Sequence, residues 1–280
     1  MTTLLDGKKL AEIKRAQLKL DIEAFKQRKG ISPQLAAIII GDDPASKLYV
    51  ANKVKACHQV GLRSLLIEKP SSISESELLE LIQTLNQDSA VHGILLQLPL
   101  PAHINPQNMI EAISVKKDVD GFHPYNIGRL ALRHPTLRSC TPYGIMQLLA
   151  HYQLDPKGKN ATIIGVSNIV GRPLSLELLL AGATVTSCHR HTKDLKSAIT
   201  NADLIISATG QQKVADPSWI KPQAIVIDVG IHRINDKVCG DLDFDALNGQ
   251  VDYLTPVPGG VGPMTITALL QNTLQAANSL

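Results

Sequence analysis

Aromatic side chains are scarce in this sequence: Phe, Tyr and Trp together supply 3% of 280 residues. Its cores must therefore be aliphatic, and stacked-ring platforms for single-stranded nucleic acid are not expected. Long apolar runs are missing as well. None approaches the roughly 20 residues of a membrane-spanning helix, and the opening MTTLLDGKKL shows neither the basic start nor the apolar stretch of an export signal. Cysteine is limited to Cys57, Cys140, Cys188 and Cys239, none in a C-x-x-C pair. That spacing argues against a disulfide framework or a zinc site and predicts a cytoplasmic location. A dominant charge of one sign is also lacking, since 28 Lys and Arg against 25 Asp and Glu leave a formal net charge of +3. The basic cluster Lys8, Lys9, Lys14, Arg15 and Lys19 is interleaved with acids. It reads as a solvated helix face, so neither nucleic acid nor a membrane is the expected partner.

What is present is an ordinary globular composition, 44% hydrophobic and 19% charged, in a chain long enough for two compact α/β domains. Residues 8–29 read as a helix with Leu10, Ile13, Leu20 and Ala24 at helical spacing. A buried strand follows at 35–40, then a helix that Asp43 caps, Pro44 opens and Gly61 stops. Strands at 62–67 and 93–98 flank a helix at 74–86, and Pro99 and Pro101 end the third strand. The stretch 115–139, dense in Pro, Gly, His and Arg, reads as an inter-domain hinge and cleft wall, and a helix opens at Thr141 and Pro142. Strands at 161–165, 183–187, 204–208 and 224–229 alternate with helical segments, of which 173–181 is one. That alternation implies a largely parallel, helix-covered sheet. The last helix, from Thr265, carries Ile266, Leu269, Leu270 and Leu274. Its apolar stripe must pack somewhere, and a return to the first domain is expected. The fold class is therefore two α/β domains with a cleft between them, the second a Rossmann-like parallel sheet. The domains fall at residues 1–140 plus 265–280, and 141–264.

The segment TIIGVSNIVGRP stands where the glycine-rich turn of a dinucleotide-binding fold belongs, but reads G-x-S-x-x-x-G. Gly165 permits a tight turn, and Val166 and Ser167 follow it. Gly171 allows close packing of the next helix, whose N-terminus favours an anion. Strand-loop-helix units with glycines are common, so the loop alone does not decide. The next strand runs into Cys188-His189-Arg190 rather than an acid. A guanidinium there suits a 2′-phosphate, which favours NADP; a plain surface arginine is the other reading of Arg190.

On the helix opened by Pro44, Val50, Val54 and Cys57 share a narrow apolar face, with Ser46, Tyr49 and Lys53 as an adjoining stripe. Lys53 lies about 60° around from Val50 at about 100° per residue. Such a lysine is expected to be partly desolvated, with its neutral amine accessible and Tyr49 one turn away. A lysine that snorkels over core fits the same spacing. Gln97 ends the apolar run GILLQL at the edge that faces the ligand crevice in parallel sheets. Asp118 and Asp120 resemble the start of a calcium loop, but the later oxygen ligands are missing. His189 and His191 have no partner carboxylates at metal spacing, and Asp241, Asp243 and Asp245 alternate as a solvated turn or strand does. No metal is expected.

Taken together, GDDPASKLYVANKVKAC, GILLQLPLP, KDVDGFHPYNIGRL, CTPYGIM, GVSNIVGRP and TPVPGGVGPMT resemble the bifunctional methylenetetrahydrofolate dehydrogenase/cyclohydrolases, in the family's order and over essentially the whole chain. The resemblance implies that NADP oxidises 5,10-methylenetetrahydrofolate and that the methenyl product is hydrolysed to 10-formyltetrahydrofolate. It implies Lys53 as the catalytic lysine, Tyr49 as its neighbour, Gln97 as its modulating partner and Asp120 as the carboxylate that anchors the pterin. Ser46, Pro258 and Gly259 would border the folate. Gly165, Val166, Ser167 and Ile231 would line the NADP site, to which the reading of the loop and strand end adds Gly171 and Arg190, and a homodimer is implied. Some members carry arginine where this chain has Val166, so the 2′-phosphate must find its cation at Arg190 or, second, Arg172. Two rivals share the architecture: a non-catalytic folate- or dinucleotide-binding module, and a shikimate-dehydrogenase-like enzyme, which should lack QLPLP and DVDGF. A short-chain dehydrogenase also uses Y-x-x-x-K, but there the glycine turn precedes the pair. Here Tyr49 and Lys53 come long before Gly165.

Overall fold

The computed structural model describes residues 1–234 and 237–280. It divides into two units, each visited twice by the chain: Met1–Glu12 with Thr141–Thr265, and Ile13–Cys140 with Ile266–Leu280. The first is called here the large-sheet unit and the second the small-sheet unit.

In the large-sheet unit six described strands form one parallel sheet in the order Thr3–Leu4, Tyr253–Leu254, Ile225–Asp228, Leu204–Ser207, Asn160–Ile164, Thr184–Cys188. Parallel pairing requires crossovers, and the chain supplies them as segments such as Gly171–Leu180 and Leu195–Thr200. Successive strand residues point to opposite faces. Ile163, Ile206 and Ile227 enter a core with Leu148, Leu174 and Leu178. Ile164, Ile205 and Val226 enter another with Ile199, Leu242 and Leu247. Both faces are thus buried, which explains why these strands read as continuous apolar runs.

In the small-sheet unit Arg63–Lys69, Gln34–Ile40 and Gly93–Leu96 pair in parallel, in that order, and a bridge from Ile94 to Asp118 extends the far edge. Ala36, Ile38, Ile94 and Leu96 pack on Leu78, Ile82 and Leu85 of helix Glu75–Gln87. That helix starts in a complete capping box, Ser74 with Glu77, which satisfies backbone donors at its first turn.

Three expectations need correction. The first twelve residues belong with residues 141–265, because Thr3–Leu4 pairs with Tyr253–Leu254 and Leu5 and Leu10 bury in that unit's core. The first helix, Gly7–Lys29, buries Leu18, Ile22 and Phe25, whereas Ile13 and Leu20 are exposed. Its apolar residues are spread around the helix, so spacing alone did not single out the buried face. The stretch 115–139 holds a helix, Pro124–Ala131, with Pro124 in its first turn and the His123 ring accepting from the Tyr125 N–H.

Candidate active site

In the small sheet, the central strand Gln34–Ile40 has its successor on one side and Gly93–Leu96 on the other. The segments that leave the carboxyl ends of these two strands diverge, and ligands of open parallel sheets bind at such a point. The central strand leads to helix Pro44–Val60; the other leads directly to Gln97.

The helix is placed by its ends. The Asp43 carboxylate accepts from the Ser46 N–H at 2.8 Å, Pro44 occupies the first turn, and Gly61 closes the helix at φ 84°. Ser46, Val50 and Cys57 are buried against the sheet, which leaves Lys53 half-buried at the edge of that face. The Lys53 Nζ donates to Gln97 Oε1 at 3.1 Å. Gln97 Nε2 donates to the Leu98 carbonyl at 2.6 Å. A carbonyl can only accept, so this second bond fixes which end of the amide faces the lysine. Tyr49, one turn before Lys53, is 38% exposed at its ring, yet burial pushes its phenol pKa upward.

Asp120 keeps only part of its surface in solvent. Burial pushes its carboxyl from 3.8 to about 6; the positive charge of Lys53 opposes the rise and the negative charge of Asp118 adds to it. The backbone around Asp120 is pinned from several sides. Its carbonyl accepts from the Cys140 N–H, and Asn272 Nδ2 of the last helix donates to Val119 and Arg138 carbonyls, each at 2.8 Å. Asp118 differs in role from Asp120: it is buried, and its oxygens accept from Phe122 N–H, His123 N–H and Asn126 Nδ2. Asp118 thereby organises the loop. Burial and the Asp120 charge push the Cys140 thiol well above the ordinary range, and its Sγ donates to the Val119 carbonyl at 3.2 Å.

In the large-sheet unit, Asn160–Ile164 lies between Thr184–Cys188 and Leu204–Ser207, so the Gly165 turn again stands at a switch point. Gly165 has φ 103°, and a Cβ there would lie 2.3 Å from the Ala208 carbonyl oxygen. A Cβ on Gly171 would lie 1.9 Å from the Gly165 oxygen. Both positions admit glycine alone without rearrangement. Helix Gly171–Leu180 begins at Val170 with no side-chain cap; the Arg172 N–H donates to the Ser167 carbonyl at 3.0 Å and Pro173 has no N–H, which leaves the Gly171 N–H as the first-turn donor open to an anion. Ser167 is exposed, with its Oγ accepting from Val170 N–H at 3.2 Å. Arg172 Nε is turned back onto the Val166 carbonyl, whereas the exposed Arg190 donates through its Nε to the neighbouring His191 Nε2 at 3.2 Å. Ile231 is 49% exposed. Pro258 and Gly259 belong to this unit, where the Gly259 carbonyl accepts from Lys8 N–H at 2.8 Å.

The structure thus joins Lys53 to Gln97, sets Asp120 within reach of the lysine's charge, and stacks Gly165 on Gly171. It also corrects the reading of Asp241, which is fully buried rather than solvated and has five hydrogen bonds to its carboxylate. Asn272 and Asp228 were not singled out by sequence. The signal for Asp228 was present, since an acid that ends the apolar run AIVID parallels Gln97 at the end of GILLQ.

A glycine turn and an uncapped helix N-terminus at the switch point of a doubly buried parallel sheet define a dinucleotide-dependent α/β dehydrogenase class. The small-sheet unit adds the Lys53–Gln97 hydrogen bond with the Asp120 carboxyl within reach of the lysine's charge. Residues 5–120 match the model of the tetrahydrofolate dehydrogenase/cyclohydrolase catalytic domain, and residues 139–280 match that family's NAD(P)-binding domain. The bifunctional protein FolD of Methylobacillus flagellatus is 55% identical over 98% of this chain and 95% of its own. The bifunctional FolD methylenetetrahydrofolate dehydrogenase/cyclohydrolase of Campylobacter jejuni superposes with a TM-score of 0.97 at 49% identity, covering 100% of this chain and 99% of that one. The Trypanosoma brucei enzyme, solved with NADP cofactor and an inhibitor, superposes at 0.95 with 34% identity, over 99% and 98% of the two chains. The chain belongs to the tetrahydrofolate dehydrogenase/cyclohydrolase family.

Proposed function

We propose that this protein oxidises 5,10-methylenetetrahydrofolate with NADP and hydrolyses the methenyl product to 10-formyltetrahydrofolate. The observation that carries the reading is the Lys53 Nζ held by Gln97 Oε1 beside the half-buried Asp120. A binding module has no need of an amine and a carboxyl set together in this way, and the family membership favours the folate enzyme over a shikimate-type dehydrogenase.

The large-sheet unit fits a dinucleotide because Gly165 and Gly171 leave no side chain in the way and the helix start is uncapped. Val166, Ser167 and Ile231 flank that space. Arg190 meets the 2′-phosphate, since no acid stands at that strand end to claim a ribose hydroxyl. NADP held there would supply the hydride acceptor of the oxidative step. On the folate side, Asp120 accepts from N–H groups of the pterin and fixes its orientation, which in a hydride transfer matters more than acid–base help. Oxidation leaves a cationic methenyl carbon. Water adds to that carbon and loses one proton to Lys53 Nζ, which relays it to solvent; the carbon–N5 bond then breaks as the second water proton passes to N5, and the carbonyl stays on N10 as the formyl product. Gln97 orients the amine without adding a charge that would hold the cation. Tyr49 lines the helix face toward the folate, with Ser46 buried one turn before it, and Pro258 and Gly259 stand in the unit that holds the cofactor.

Replacing Lys53 by Met tests this. With methylenetetrahydrofolate and NADP, the variant is expected to bind NADP and to lose the methenyl-to-formyl step. Unchanged formation of 10-formyltetrahydrofolate would remove Lys53 from the mechanism.

The assembly is a homodimer in this proposal. Arg63–Lys69 is an edge strand with Leu65 38% and Leu66 44% exposed, and an apolar groove of about 730 Å³ lined by Val50, Val54 and Leu66 lies beside it. An uncovered apolar edge is an association surface. No helix among the described residues is long and apolar enough to cross a membrane. The cytoplasm is the assigned location because all four cysteines are free thiols.

A further inference from the structure

A buried polar cluster that the reaction does not use lies behind the cofactor side of the large sheet. Asp241 Oδ2 accepts from Ser207 Oγ at 2.9 Å, Thr209 N–H at 2.8 Å, Thr209 Oγ1 at 2.9 Å and Gly210 N–H at 3.3 Å. Its Oδ1 accepts from His232 Nε2 at 2.8 Å. Asp228, at the end of its strand, accepts from Gly230, Asp241 and Leu242 N–H groups at 2.9, 3.0 and 2.8 Å. The fit leaves no slack. A Cβ on Gly230 would lie 2.0 Å from Asp241 Oδ1, and one on Gly240 would lie 2.1 Å from Asp228 Oδ2.

The two carboxylates behave differently. Burial pushes both upward, but in Asp241 the bonds from His232, Thr209 and Ser207 outweigh it and hold the group below its ordinary range. Burial prevails in Asp228, whose carboxyl rises to about 6. A buried anion is a poor way to gain stability, since an apolar side chain of similar volume does as well or better. What an anion provides is fixed geometry, because donors from separate segments must converge on it.

Those segments are informative. Thr209 and Gly210 follow the strand Leu204–Ser207, and His232 follows Ile225–Asp228 with Ile231 beside it. The Ala208–Thr209 peptide is the surface on which Gly165 rests, at 2.3 Å from a would-be Cβ to the Ala208 oxygen. Arg190 follows the strand on the opposite side of Asn160–Ile164 and marks the adenosine end. The loops held by Asp241 therefore stand toward the nicotinamide.

We propose that Asp241, oriented by His232, is a positioning residue for the dehydrogenase step. It ties loops 208–211 and 229–232 to each other and to the Gly165 turn, so that the cofactor meets a preformed surface. This rests on the reading that the large-sheet unit holds NADP.

The test uses the full-length enzyme and three variants: Asp241→Asn, His232→Ala and His232→Gln. Binding of NADP to the wild type is measured first by titration calorimetry; its absence would overturn the cofactor reading itself. The Asp241→Asn variant is expected to raise KM for NADP about tenfold or more, the scale of one lost charge-assisted hydrogen bond. Cyclohydrolase activity on methenyltetrahydrofolate without cofactor should stay at the wild-type level. His232→Ala should raise KM for NADP severalfold, and His232→Gln, which restores an N–H donor, should return most of it. Unchanged KM for NADP in both Asp241→Asn and His232→Ala refutes the proposal. So does a parallel fall of cyclohydrolase activity and thermal stability, which marks a general structural role. If Asp241→Asn does not fold, the two His232 variants decide by the same criteria.

Discussion

Asp120 gives the most discriminating prediction, because function and stability should respond to it in opposite directions. Its carboxyl is raised from 3.8 to about 6, chiefly by burial. The folded state therefore prefers the acid form. The wild type keeps that contribution below about pH 3.8 and loses it progressively as pH rises through about 6. The interval corresponds to at most about 3 kcal/mol at neutral pH. Asp120 keeps part of its surface in water, so about 1–2 kcal/mol is the expected remainder. Asp120→Asn has the same shape and no charge. It should match the wild type near about pH 4 and exceed it by about 1–2 kcal/mol near about pH 8, while folate turnover falls steeply. Urea unfolding of both proteins across this range, followed by circular dichroism, measures the gap. An equal gap at both ends of the range, or a variant less stable at high pH, would refute the placement of this carboxyl in a water-poor crevice.

Other outcomes follow from the same geometry. Arg190→Ala should weaken NADP far more than NAD in steady-state kinetics; equal loss for both would put the 2′-phosphate elsewhere. Asn272→Leu removes one donor from each of the Val119 and Arg138 carbonyls and should cost about 1–3 kcal/mol in denaturant unfolding, with a rise in KM for folate. Leu66→Glu places a charge on the exposed edge strand and should shift sedimentation from dimer to monomer; a wild type that sediments as a monomer would remove the homodimer.

Much of the small-sheet crevice was legible in the chain because its signals are local. Asp43, Pro44 and Gly61 delimit the lysine helix by capping chemistry that acts over a few residues, and the structure places them in those roles. Gln97 stood out because an amide ending an apolar run has no packing reason to be there, and its partner is Lys53. The cofactor turn was legible from its glycines, of which Gly171 packs on the Gly165 carbonyl within the same loop while Gly165 packs on Ala208 at the end of another strand. Helix faces were less so: Ile13 and Leu20 are exposed on a helix whose buried side is Leu18, Ile22 and Phe25.

By itself the sequence determined most of the strands and helices and the residue types at the ends of the strands, because each depends on neighbours along the chain. Tertiary structure alone decided that the first dozen residues close the far edge of the large sheet, through pairing with a strand 250 residues away. It alone made Asp241 a buried hub rather than a solvated acid, and brought Asn272 onto the backbone beside Asp120. Hydrogen bonds and burial depend on what lies across space, and no spacing along the chain encodes which distant donor will arrive.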